Sequence, residues 1–497
     1  MEKSPQALLV LPYLPCYDTL KRGNPIFTIR KCAVLVGVFI RFGPENWQIF
    51  QQTHGFACIR AGGEYVIPEG REIASPVVYV RILREDSGME VLGWQRAQLL
   101  PGEKWEAELT VPAGGLYRLE TTLLDESDPV LEWGVRGDMR HHLGVGDLYV
   151  IAGQSNSAGY GKEPAYDPPE LGVHLCRNNL HWDLASHPMN DSTDSAHPAN
   201  LEGCNTGACP YLSFAKTLHR ELGYPIGLIQ SSLGGSPLSQ WNPEEDGSLY
   251  RSMMETLRSQ GGQVTGVLWY QGCTDAENGQ ADSYFSRFAQ TVSAFRNEMG
   301  AEIPWLTIQL NRRLAYEDGL PFDEGWGTIR EAQRQAARKI PGISIVPAID
   351  CSLSDGIHNT AAANVVLGER LAAAALRDIY HRSWSHPAPD LESAVLTAPD
   401  VMELTFSPVA GRIYGYDSVL VDRNAFTVWS GDKALSIKTA EYFDNKIRLH
   451  LSEPAQEPCQ VSAGWKMEPP VRLPVDFATH LPILAFHRVE VASFSKL

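Results

Sequence analysis

The chain has 497 residues, of which 43% are hydrophobic, 20% charged and 9% aromatic. Single hydrophobic cores stop growing near ~250–300 residues, so two or three domains are expected. A formal charge of −17 argues against a surface that tracks nucleic-acid phosphates, which needs clustered Lys and Arg; a neutral sugar and a sugar carrying one carboxylate both remain compatible.

At the start of the chain the apolar run 7–11 is broken by Pro12 and Pro15, and no small-residue cleavage site follows, so no signal peptide is read. The run 32–40 is less than half of the ~20 residues a membrane-spanning helix needs and reads as a buried strand. A soluble protein with no membrane partner is expected. Nine cysteines, an odd number at irregular spacing, suggest reduced thiols and a cytoplasmic location over a secreted disulfide framework.

From about residue 27 to 135, short β-branched and aromatic runs such as 76–83 and 116–122 are punctuated by Gly and Pro, and the spacing predicts a β-sandwich. In the middle third, apolar strands alternate with longer amphipathic segments, the pattern of an α/β domain with a parallel sheet. Strands are predicted at 147–152, 226–231, 264–270, 304–310 and 343–349, and helices at 208–222, 281–299, 328–340 and 360–380. The stretch 160–207, rich in Pro, Asn, Asp and His, reads as one long irregular loop. After His386-Pro387 a β pattern returns, with candidate strands at 418–421 and 446–451. The predicted organisation is an N-terminal β-sandwich-like domain (1–145), an α/β domain (146–385) and a C-terminal β domain (386–497).

Ligands of open α/β sheets bind at the carboxyl ends of strands. The strand 147–152 runs into Gly153-Gln154-Ser155-Asn156, where a glycine permits a tight turn and presents a serine. A serine hydroxyl is a weak nucleophile that needs a general base held by a third group. After strand 343–349 comes Asp355-Gly356-Ile357-His358, in which the carboxylate can turn back onto the imidazole. Ser155 is therefore the candidate nucleophile, His358 the base and Asp355 its orienting acid, with Asp350 the nearest rival acid. An oxyanion also needs donors: the Ser155 N–H, the Gly235 N–H after strand 226–231, and the Gln271 side-chain amide after strand 264–270 are the candidates.

Gly153-Gln154-Ser155-Asn156, Gly234-Gly235-Ser236-Pro237 through Trp241, Trp269-Tyr270-Gln271-Gly272 and Asp355-x-x-His358 together resemble the blocks of the sialate O-acetylesterase family of SGNH hydrolases. The resemblance spans about 146–380. It implies a flavodoxin-like sheet, a Ser-His-Asp mechanism with no metal or other cofactor, and an O-acetylated sugar as substrate. The segment 328–333 is similar to a family helix. The family usually continues Gln-Gly-Glu, whereas this chain has Cys273 in place of the glutamate.

Other readings compete for several residues. His174, His181, His187 and His197, with Cys204 and Cys209 nearby, invite zinc, but neither Cys-x₂-Cys nor His-Glu-x-x-His spacing is present. Cys273 reads as a small buried hydrophobe. Gln154, Trp182, Asp183 and Trp241 are candidate substrate contacts, since sugars stack on aromatic rings and bond carboxylates and amides; for either tryptophan the alternative is ordinary packing. Arg177, Arg312 or Arg313 would hold the carboxylate of an acidic sugar, and without one the substrate would be acetylated xylan or another neutral glycan. A non-catalytic carbohydrate-binding protein on a hydrolase scaffold is the alternative of another class.

Overall fold

The computed structural model describes residues 36–128, 130, 134–314, 322–383, 385–416 and 424–492. The run 7–11 and the expected strand 418–421 lie outside them, as does the first part of the expected strand 32–40, whose remainder is found as Gly37–Phe42.

Three apolar clusters organise the chain. The largest surrounds a central sheet whose strand order is Trp182–Leu184, Val173–Cys176, Ile226–Gln230, Val135–Gly153, Gly266–Tyr270, Trp305–Gln309, Ile343–Pro347. All neighbours from Val173–Cys176 onward are parallel, and Trp182–Leu184 closes one edge antiparallel. Ile226–Gln230, Gly266–Tyr270 and Trp305–Gln309 are buried at every position, as expected where helices cover both faces of a parallel sheet. The helices Tyr211–Leu222, Ser248–Ser259, Tyr284–Met299, Asp323–Lys339 and Ala361–Asp378 do so. Tyr211–Leu222 shows how: Tyr211, Leu212, Phe214, Ala215 and Leu218 recur at three- and four-residue steps and are all buried.

One expectation is corrected. The stretch 160–207 is not a single loop, because Val173–Cys176 inside it pairs with Ile226–Gln230 as a full member of the sheet. A histidine in its middle breaks the apolar pattern; His174 is nonetheless fully buried, its Nδ1 2.6 Å from the Trp47 carbonyl, and burial pulls its pKa down to about 4.

The strand Val135–Gly153 is shared. Its first half pairs antiparallel with Gly114–Asp125 and its second half enters the central sheet, so the expected boundary at 145/146 falls inside one continuous strand. Upstream, the sheet of Gly37–Phe42, Phe56–Val66, Lys104–Pro112 and Gln98–Leu100, together with Pro76–Arg84 and its neighbours, surrounds a cluster containing Val38, Ile59, Val80, Trp105 and Leu119. Downstream of Pro389, two further four-stranded sheets surround Leu391, Met402, Leu404, Val428, Val461 and Phe486. Lys446–Leu451 alternates buried and half-buried residues along its length, the period-two pattern of a strand with one face inward.

Two buried side chains tie the C-terminal unit to the central sheet. The Gln309 amide pairs with both backbone groups of Ala485, each bond 2.9 Å. Arg330, fully buried on Asp323–Lys339, donates to the carbonyls of Leu310 (3.0 Å), Gly464 (2.6 Å), Lys466 (2.6 Å) and Asn311. Burial pulls its pKa down to about 9, so it stays charged at neutral pH.

Candidate active site

Ser155 opens a four-residue helix directly after the long central strand. The turn requires glycine at 153: its φ is +122°, and a Cβ there would lie 2.3 Å from the Tyr270 carbonyl oxygen. Ser157 fixes the helix from beneath, its hydroxyl 2.9 Å from Ala152 O and 2.7 Å from Tyr211 Oη.

The His358 ring stands opposite. Its Nε2 lies 2.9 Å from Ser155 Oγ and its Nδ1 2.7 Å from Asp355 Oδ2. Asp355 Oδ1 accepts the Ile357 and His358 amides, both at 2.8 Å, so the Asp-x-x-His loop closes on itself. Burial raises the Asp355 carboxyl, but the His358 ring and the two amides outweigh it and hold its pKa below the ordinary value. The following helix is capped by Thr360, whose Oγ1 accepts Ala363 N; Asp355 is thus left to the loop and the imidazole. The rival acid, Asp350, is engaged elsewhere in a two-bond pair with Arg370 at 2.7 and 2.6 Å.

Two asparagines to which the sequence assigned no role anchor this loop. The Asn156 side chain donates to Ile357 O (3.2 Å) and accepts Asn359 N (3.0 Å), while Asn311 Nδ2 reaches Ile357 O (2.7 Å) and Asn359 Oδ1 (2.9 Å). Asn156 was already on view beside Ser155 in the first block; Asn311 follows the strand Trp305–Gln309, where strand-end position alone pointed to it.

Among the described residues the amides of Ser155 and Gly235 have no hydrogen-bond partner, which leaves both donors free for an oxyanion. Gln271 does not join them. It is fully buried, and its amide donates to Asp275 Oδ2 (2.6 Å) and to Ser236 O (3.2 Å), so no N–H remains to offer.

The expected sugar contacts are corrected in the same way. Trp241 has no exposed surface and its indole N–H donates to Ser236 Oγ at 3.0 Å. Trp182, 5% exposed, packs in the main core and donates to Gln260 Oε1 at 2.7 Å. Neither has a ring face for a sugar. Gln154 is buried, its Oε1 accepting Gly272 N at 2.9 Å, and acts as a brace between two strand ends. Asp183 is exposed on the edge strand, with two strands between it and the Ser155 strand, and it pairs with Arg177 at 3.4 Å.

The four histidines of 160–207 do not converge: His174 meets Trp47 O, His181 meets Glu45, His187 meets Asp167 and His197 meets Glu255. Among the described residues no group of three or more His, Cys, Asp or Glu side chains is arranged to hold a metal ion, and no helix is long and apolar enough to cross a membrane. Cys273 is buried, and burial pushes its thiol up to about 12.

A parallel α/β sheet with a serine, a histidine and two free amides converging at its carboxyl edge defines a carboxylic ester hydrolase. Residues 145–377 match the family described as carbohydrate esterase, sialic acid-specific acetylesterase. A probable carbohydrate esterase of Arabidopsis thaliana is 27% identical over 253 residues, 46% of this chain and 90% of that protein. The crystal structure of a carbohydrate acetylesterase from Xanthomonas citri superposes with a TM-score of 0.62 at 21% identity, covering 89% of this chain and 97% of that one. The likeness in fold therefore extends beyond 145–377 into the flanking units. A crystal structure from Arabidopsis thaliana gives a TM-score of 0.40 at 26% identity over 46% of this chain and 98% of its own.

Proposed function

We propose that the protein removes O-acetyl groups from a sugar through an acetyl-serine intermediate. Ser155 Oγ attacks the acetyl carbonyl as His358 Nε2 takes its proton; the imidazolium then returns that proton to the departing sugar oxygen. Asp355 fixes the imidazole tautomer and faces its positive charge. The amides of Ser155 and Gly235 receive the oxyanion, and in the second half-reaction His358 deprotonates the water that releases acetate. The observation that carries this reading is the chain Asp355 Oδ2, His358, Ser155 Oγ with contacts of 2.7 and 2.9 Å beside two unpaired amides.

An acidic sugar of the sialate kind is favoured over neutral acetylated xylan by Arg312. Arg177 pairs with Asp183 and Arg313 with Glu277, whereas Arg312 has no carboxylate partner among the described residues and its buried Nε makes no hydrogen bond. Arg312 lines a cavity of about 680 Å³ with Asp350, Ser352 and His480, beside the loop that carries His358. Acetate release from O-acetylated sialic acids and from acetylated xylo-oligosaccharides tests the pairing of activity and substrate. Ser155→Ala is expected to fold and to lose ~10³-fold or more in turnover. Unchanged hydrolysis of p-nitrophenyl acetate by that variant refutes the nucleophile, and faster release from xylo-oligosaccharides refutes the acidic sugar.

A further inference from the structure

The two in-plane contacts of His358 hold its nitrogens but leave the ring free to tilt about the line between them. The tilt is blocked by Tyr160, whose ring stacks on the imidazole with centroids 4.6 Å apart and planes 24° from parallel. Lys162 Nζ, 5.3 Å from the Tyr160 centroid, adds a second restraint on that ring. What keeps Tyr160 in place is its hydroxyl, which donates to Glu202 Oε1 at 2.8 Å and lies 3.0 Å from Cys204 Sγ. Burial, with Cys204 and Glu202 beside it, holds the phenol well above its ordinary pKa, so it remains a neutral donor.

The other oxygen of the same carboxylate serves the opposite wall of the site. Glu202 Oε2 accepts Gly234 N at 2.9 Å and Asn190 Nδ2 at 2.8 Å. Gly234 precedes Gly235, whose amide is one of the two free donors. The approach is close enough to require glycine: a Cβ on residue 234 would lie 2.5 Å from Glu202 Oε1 and 2.8 Å from Tyr160 Oη. Glu202 is itself held, its amide donating to Ser192 Oγ at 2.7 Å.

We propose that Glu202 is a positioning residue for both halves of the reaction, one carboxylate oxygen steadying the Tyr160 ring against His358 and the other aiming the Gly234-Gly235 loop at the oxyanion. This rests on the Ser155 and His358 reading above. Because the general base and the oxyanion donors act in the transition state, a fault in their alignment lowers kcat and spares KM.

Glu202→Met keeps the side-chain length and removes both acceptors; it is expected to lower kcat about tenfold or more with KM within about twofold. Glu202→Gln should restore much of that loss, since its carbonyl can face Gly234 while its amide faces the Tyr160 oxygen. Tyr160→Phe keeps the ring but cuts the tether, so it should lower kcat by itself and cost little more when added to Glu202→Met. A kcat within about twofold of wild type for Glu202→Met, a loss confined to KM, or losses that simply multiply in the double variant overturns the proposal. If Glu202→Met does not fold, Tyr160→Phe carries the test, and an unchanged kcat there overturns it. Ser155→Ala, measured in the same series, separates the two levels. An inactive Ser155→Ala beside an unaffected Glu202→Met refutes only the role of Glu202, whereas an active Ser155→Ala refutes the site itself.

Discussion

Arg330 is a buried cation with no carboxylate against it among the described residues, held by four backbone carbonyls from two separate segments. Of these acceptors, Asn311 O keeps the Trp326 indole N–H at 2.9 Å if the guanidinium is removed, while Leu310 O, Gly464 O and Lys466 O have no other donor among the described residues. Arg330→Met fills similar volume and leaves those three oxygens unpaired, those of Leu310 and Gly464 in the buried interior. A lost bond costs ~1 kcal/mol net and a stranded buried acceptor ~1–3 kcal/mol, so the variant should be destabilised by about 3 kcal/mol or more. For a unit of this size ~1 kcal/mol moves Tm by ~2–4 °C, and calorimetry should show the catalytic unit melting ~6 °C or more below wild type. Arg330→Lys should lose most of the same stability, since three donors on a flexible stem cannot reproduce a planar fork spanning four carbonyls. A Tm for Arg330→Met within ~2 °C of wild type would falsify the idea that this cation clamps the C-terminal unit to the sheet.

Three further outcomes follow from the geometry. Asp355→Asn should cut turnover by ~10³–10⁴-fold while Asp350→Asn, whose acid belongs to Arg370, stays within a few-fold of wild type; the reverse ranking moves the orienting acid to Asp350. His187 is 17% exposed beside Asp167 and Lys216; burial opposes its charge, but Asp167 and Cys209 outweigh burial and raise its pKa to about 9. The folded state then holds a proton between pH ~6.5 and ~9 that the unfolded chain has released, so this contribution is complete below ~6.5 and is lost as pH rises through ~9. Its ceiling is ~3 kcal/mol, reduced by Lys216 competing for the same carboxylate, and urea titrations that give wild type and His187→Gln the same pH slope over that window contradict it. Cys273→Ala should leave kcat within about threefold and cost ~1 kcal/mol of stability for the small cavity; a large loss of kcat would give this thiol a chemical role.

The grouping of Ser155, His358 and Asp355, the proposed nucleophile, base and acid, was legible because they sit at strand ends and because Asp355 and His358 lie within one turn of loop. The strand positions were legible for the same reason the sheet is stable: runs such as Gly-Val-Leu-Trp-Tyr at 266–270 are buried on both faces. What a strand end does not disclose is which way a side chain turns. Gln271 stands at the right place and points its amide into Asp275, and Trp241 follows the glycine pair yet lies in the core. Glu202 and Tyr160 were out of reach for a different reason. They are 42 residues apart in a stretch without periodicity, so only tertiary structure brings them together.

The strand Val135–Gly153 ends at the nucleophile turn and begins in the upstream sheet, and this sets an order of assembly. During synthesis its first half emerges before Ser155, and Gly114–Asp125, already made, can zip onto it at once. The second half must wait, since Ile226–Gln230 and Gly266–Tyr270 come off the ribosome seventy residues or more later; at ~5–20 residues per second that is a delay of several seconds. The upstream sheet thus serves as a template that presents the central strand, already extended, to the partners that arrive after it. A fragment starting at residue 145 would lack that template and begin halfway along a ladder.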